Sequence, residues 1–174
     1  MNVRSLHPGM LTALWLLPLL AVLQGSLVPH LAPWGALPSI VLIVAVDWGI
    51  LRGADQGMLW GLYGGLCLDV FSGWPFGTSA VALVVVTSLV SLGSGTFMRT
   101  HTLVPIVTVF AATFLYYLIV LFILESVHEP VGWTAMLRDV ALPAAIVNAI
   151  INIPAFHLMQ KLERRLYPAQ RASW

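Results

Sequence analysis

Six apolar stretches, residues 10–28, 34–51, 57–70, 78–97, 103–124 and 141–159, are separated by short polar joints. A bilayer-spanning helix needs about 20 apolar residues, within a range of roughly 17–25. The first, fourth, fifth and sixth stretches meet that length. The second and third are shorter and are interrupted by Asp47 and Asp69. They still count as spans, because the polar joints around them are too brief to form anything else. Composition agrees: 59% of residues are hydrophobic and 9% charged, with a mean hydropathy of +0.92. A soluble core of this size could not hide so much apolar surface, so lipid is the solvent. The expected fold is an all-α membrane protein of six transmembrane helices, forming a single polytopic domain over residues 1–174.

Basic residues set the orientation. With the N-terminus in the cytoplasm, Arg4, Arg52, Arg99, Lys161, Arg164, Arg165 and Arg171 fall inside, and Arg138 falls outside beside Asp139. That bias fits an even number of spans with both termini cytoplasmic. The first stretch lacks a small-residue cleavage site after its apolar core, so a retained helix is expected rather than a signal peptide. The basic tail is expected to carry the sixth helix to the membrane surface, where it meets anionic lipid headgroups. The loop over residues 125–140 contains Trp133, and it reads equally as a short helix lying in the interface or as a plain surface loop.

Gly49, Gly53, Gly57, Gly61 and Gly65 recur every four residues. Small residues at that spacing let helix backbones approach closely in a membrane. The run crosses a turn near Arg52 and Gln56, so Gly57, Gly61 and Gly65 share one helix face and the others do not. Internal packing of the third span explains them; a groove for a partner's helix, or a hinge, is the other reading. Ionisable groups at membrane depth cost about 2.5–3.5 kcal/mol on insertion scales. Asp47 lies about 9 Å from the cytoplasmic surface and Asp69 about 20 Å, at 1.5 Å per residue. That difference in depth rules them out as a general acid/base pair. Asp69 is expected to accept backbone N–H groups from the turn over residues 71–77, or a hydroxyl from a neighbour. Asp47 is expected to reach Arg52 or the headgroups. Asn148 and Asn152 share a face of the sixth span with Ala141, Ala144 and Ala145, and Gln24 of the first span is a candidate partner for them. Tyr116 and Tyr117 read as packing residues.

Several chemistries have no carrier. The formal net charge of +1 leaves no basic face for nucleic acid. One cysteine, Cys67, excludes a disulfide framework. The histidines His7, His30, His101, His128 and His157 do not gather at metal-ligand spacing, so neither a metal nor a cofactor is expected. No nucleophile elbow or phosphate loop is present, and no catalytic residue is assigned. A membrane scaffold, a small-molecule binder or a transport component remains.

The residues then resemble a known family. Gln24 late in the first span, Pro38 opening the second, and the run Gly53, Gly57, Gly61, Gly65-Leu66, Asp69, Gly73 and Gly77 are similar to the pattern of the MreD family of bacterial rod-shape proteins. The likeness is densest over residues 49–77. It implies a cytoplasmic-membrane protein of the elongation complex that binds MreC, a protein with one span and a periplasmic domain. Through MreC it implies a link to the rod-shape glycosyltransferase and penicillin-binding transpeptidase, with contact to MreB left open. It also implies a fold like the substrate-binding subunits of energy-coupling-factor vitamin transporters, and that likeness supplies the alternative function. Asp69, Ser72, Trp74, Glu125 and His128 would be the polar groups of such a vitamin site. Ala13 and Ala21 on the first span do not match the small-residue motif that docks those subunits. On the scaffold reading, the partner-binding or helix-packing residues are Gly57, Gly61, Gly65, Asp69, Gly73, Gly77, Gln24, Asn148 and Asn152.

Overall fold

The structure is a computed structural model, described here for residues 8–31, 38–93, 103–127 and 132–168. Its described residues are helical, without strands. The helices are α1 (Pro8–Leu31), α2 (Ile40–Arg52), α3 (Ala54–Phe71), α4 (Thr78–Gly93), α5 (Leu103–Ser126) and α6 (Leu142–Leu166). Helix α6 is entered through a short turn (Trp133–Ala135) and a π-helical segment (Met136–Ala141). Backbone angles stay helical at Ala135, Ala141 and Leu142, so residues 133–166 form one continuous rod. The interfacial helix read from Trp133 is therefore not a separate element. It is the first turn of α6, and the Trp133 indole N–H donates to the Glu125 carboxylate at the end of α5.

Three helical stretches are long and apolar enough to cross a bilayer: Gly9–Ser26, Leu103–Ser126 and Trp133–Leu166. The 34 residues of the last one are about 51 Å long at 1.5 Å per residue, longer than a hydrocarbon core of about 30 Å. Its ends therefore have length to spare beyond the apolar layer.

Helix α2 is the axis of the bundle. It has only 13 residues, and every one from Val41 to Leu51 is buried. An apolar helix without a polar face belongs in the interior of a bundle. Helices α1, α3, α4, α5 and α6 all touch it. Its last residue, Arg52, is followed at once by Gly53, whose φ of +86° reverses the chain into α3. That left-handed backbone favours glycine. Gly53 is thus the turn, not a member of the packing stripe.

At this end, which carries Arg52, Lys161, Arg164 and Arg165, four elements are clasped together. Trp48 and Trp60 stack with centroids 4.3 Å apart, and the Trp48 Nε1–H donates to Gln56 Oε1 at 3.1 Å. The Arg52 guanidinium pairs with Glu163 at 3.3 Å and lies 3.6 Å over the Tyr167 ring. The Tyr167 hydroxyl accepts the Gly9 N–H at 3.2 Å. Arg52 is therefore turned toward α6, not toward Asp47.

Candidate functional site

The glycine face of α3 lies against α4. A Cβ on Gly57 would sit 2.4 Å from Ser91 Oγ, and one on Gly61 2.4 Å from Thr87 Oγ1 and 2.9 Å from the Leu83 carbonyl. At Gly65 it would sit 2.3 Å from Ala80 Cα. Three positions four apart thus touch three successive levels of α4, in antiparallel order. This seam is filled from within the chain, so these glycines offer no groove to a partner's helix. Gly73 and Gly77 play no part in it, since a Cβ on either meets nothing within 4 Å. Gly77 instead supplies the φ of +99° that turns the chain into α4.

Asp69 closes that turn. Its carboxylate is buried and accepts the backbone N–H groups of Gly77 at 3.0 Å, Ser79 at 2.8 Å and Ala80 at 3.1 Å. The first N–H groups of any helix lack intrahelical partners, and a negative charge there also meets the helix dipole. Without water, such groups must be satisfied by protein. The cap of α4 is therefore lent by α3.

The same device serves α2. The Ser39 N–H donates to Asn148 Oδ1 of α6 at 2.9 Å, and the Val41 N–H to Gln24 Oε1 of α1 at 3.2 Å. Gln24 Nε2 reaches Ser39 Oγ at 3.4 Å, and Asn148 Nδ2 donates to Thr113 Oγ1 of α5 at 3.0 Å. Gln24 and Asn148 thus converge on the start of α2 and do not bond each other. Asn152 is engaged elsewhere, donating through Nδ2 to the Pro105 carbonyl at 3.0 Å. The expected Gln24–asparagine contact is replaced by a shared cap.

Between these two caps lies a cavity of about 300 Å³, open on one side. Its walls are Ala21, Gln24 and Gly25 of α1, Pro38 and Ser39 before α2, and Leu68 and Phe71 of α3. Ser72, Gly73 and Trp74 of the α3–α4 turn, Ser79 of α4, and Tyr116 and Tyr117 of α5 complete it. The Tyr116 hydroxyl donates to Ser79 Oγ at 3.1 Å, which fixes the ring in the wall. No charged side chain lines the cavity. Aromatic and aliphatic walls with a few hydroxyls and one amide suit an uncharged, largely apolar occupant. Tyr116 and Tyr117 therefore belong to this site as well as to the packing. The sequence offered no sign of that, because the five contributing elements are far apart along the chain.

Other candidates are placed as follows. Glu125 is turned to Trp133, and His128 lies outside the described residues. Asp69 contributes no wall to the cavity, because its oxygens are spent on the cap. Ala13 and Ala21 are buried, so α1 presents neither as an outward docking face. Among the described residues, no group of three His, Cys, Asp or Glu side chains could hold a metal ion.

A family model described as the rod shape-determining protein MreD matches residues 8–166. The chain belongs to the MreD family. That match spans every helix described above. MreD proteins are shape-determining membrane proteins and not a known enzyme family. No curated protein and no solved structure matches the chain.

Proposed function

We propose that this MreD-family chain is a non-enzymatic, multi-pass scaffold of the bacterial cytoplasmic membrane, and that its cavity receives MreC. The observation that carries this reading is the cavity's position and chemistry. It is bounded by the turn after α3 and by the outer parts of α1 and α5, at the end opposite Arg52, Lys161, Arg164 and Arg165. A partner with one span and a periplasmic domain must leave the membrane at that end. The segment that follows its span would pass the opening. The uncharged, aromatic-walled cavity suits an apolar side chain from that segment better than it suits an ion or a polar substrate. Through MreC, the chain would hold the glycosyltransferase and transpeptidase of the rod-shape complex in register with the MreB filaments.

Filling the cavity tests the reading. Gly73 lines it, its backbone is not left-handed, and a Cβ there meets nothing within 4 Å. Gly73→Trp should therefore fold while occluding the opening. In gentle affinity purification from native membranes, the wild-type chain should recover MreC together with a peptidoglycan synthase pair. Gly73→Trp should recover at least about tenfold less MreC, the effect of losing one anchor of roughly 1.4 kcal/mol or more. Normal capture of MreC by a folded Gly73→Trp chain would contradict the proposed site. Recovery of two ATPases and a helical coupling protein would instead identify a vitamin transporter.

A further inference from the structure

Asp47 lies near the middle of the α2 axis with none of its surface exposed, and neither carboxylate oxygen has a hydrogen-bond partner. Asn152 of α6 is the polar side chain that bears on it. Asn152 is also wholly buried, and its Oδ1 likewise has no donor. The asparagine's own N–H bond goes to the Pro105 carbonyl of α5. Helices α2 and α6 run in the same direction and are tied at Ser39–Asn148 toward one end and at Arg52–Glu163 toward the other. Asp47 and Asn152 lie between these ties. Three oxygen acceptors thus share one buried region without a hydrogen bond between them, and the donor that faces Asp47, the Asn152 amide N–H, is already bonded to Pro105. The nearest basic group along the helix, Arg52, is held by Glu163 and the Tyr167 ring.

An ionised carboxylate without a donor or counter-charge is among the most costly arrangements in a protein interior, and more so at membrane depth. A proton on Asp47 would remove that buried charge. A sodium ion would meet the same oxygens as hard ligands, the donor type alkali cations prefer. We propose that Asp47 and Asn152 form a buried site for a single monovalent cation, a proton or a sodium ion, which joins the central helix α2 to α6. The site is separate from the outer cavity, and Asp47 and Asn152 line no part of it.

The experiment uses the full chain in lipid nanodiscs, as wild type and as Asp47→Asn. The asparagine has the same shape and carries no charge, so it needs no bound cation. Asp47→Asn should fold, with a thermal midpoint no more than about 2 °C below wild type. The infrared difference between the two proteins identifies the cation. A carboxylic-acid carbonyl band present only in the wild type assigns a proton. A carboxylate band, with a midpoint that rises when sodium replaces N-methylglucamine in the wild type alone, assigns sodium by mass action. A carboxylate band with no sodium effect would overturn the proposal, and so would failure of Asp47→Asn to fold.

Discussion

Asp69 shows how much one residue can be asked to do in lipid. Three backbone donors depend on its two oxygens. Removing an ordinary helix cap costs about 0.5–2 kcal/mol, and bonds to a charged acceptor are worth more than neutral ones. Asp69→Ala should therefore lower unfolding stability by about 2–4 kcal/mol, and Asp69→Asn by less, since one oxygen and the shape survive. Thermal unfolding in detergent checks the order of the two. Equal stability of Asp69→Ala and wild type would contradict the capping role. That an acid just before a turn would accept backbone N–H groups was legible in the sequence. The meeting of Gln24 and Asn148 at Ser39 was not, because it depends on how α1, α2 and α6 are arranged around one another. Asp47 departs from its expected contact for a related reason. Six residues from the turn looked close enough for Arg52, but the two side chains leave α2 toward different neighbours.

At the scale of the helix, spacing carried most of the information. Glycines every four residues implied a close seam on α3, though which neighbour fills it became clear only from the packing on α4. The seam predicts a graded response to methyl groups. Gly65→Ala would bring its Cβ onto the Ala80 backbone, which cannot move without separating the helices. A gain of about 1 kcal/mol in helix propensity offsets part of an overpacking cost of about 1–3 kcal/mol, leaving a net loss of up to about 2 kcal/mol. Gly64→Ala meets a single Val41 methyl rather than backbone, and should lose less. Gly73→Ala meets open space and should change stability by no more than about 0.5 kcal/mol. Denaturation of the three variants in one detergent measures the ranking. The rod over residues 133–166 was not legible as one element. Its outer turns are polar enough to read as a loop, and contact with α5 through Trp133 and Glu125 helps to hold them helical.

Viewed whole, the molecule gathers polar groups at both ends of a buried central helix, with Asp47 and Asn152 between them. One end is clasped by Arg52, Glu163 and Tyr167, and the other carries both trans caps and the cavity. Hydropathy made the helical class legible, and the basic residues supply the orientation that remains an expectation. The cavity was hidden, because no local pattern announces a space assembled from five elements. If the end bearing the cavity faces outward, cysteine reporters at positions 74 and 128 should label with an impermeant reagent in intact cells, and one at position 101 should not. Labelling of position 101 from outside would overturn that orientation. Entry of MreC into the cavity can be read directly by site-specific photocrosslinking in native membranes. A photoreactive residue in place of Trp74, in the cavity wall, should form an adduct with MreC, while one in place of Leu92, exposed at the far end of α4, should not. A crosslink to MreC from position 92 and none from position 74 would place the partner elsewhere and contradict the account.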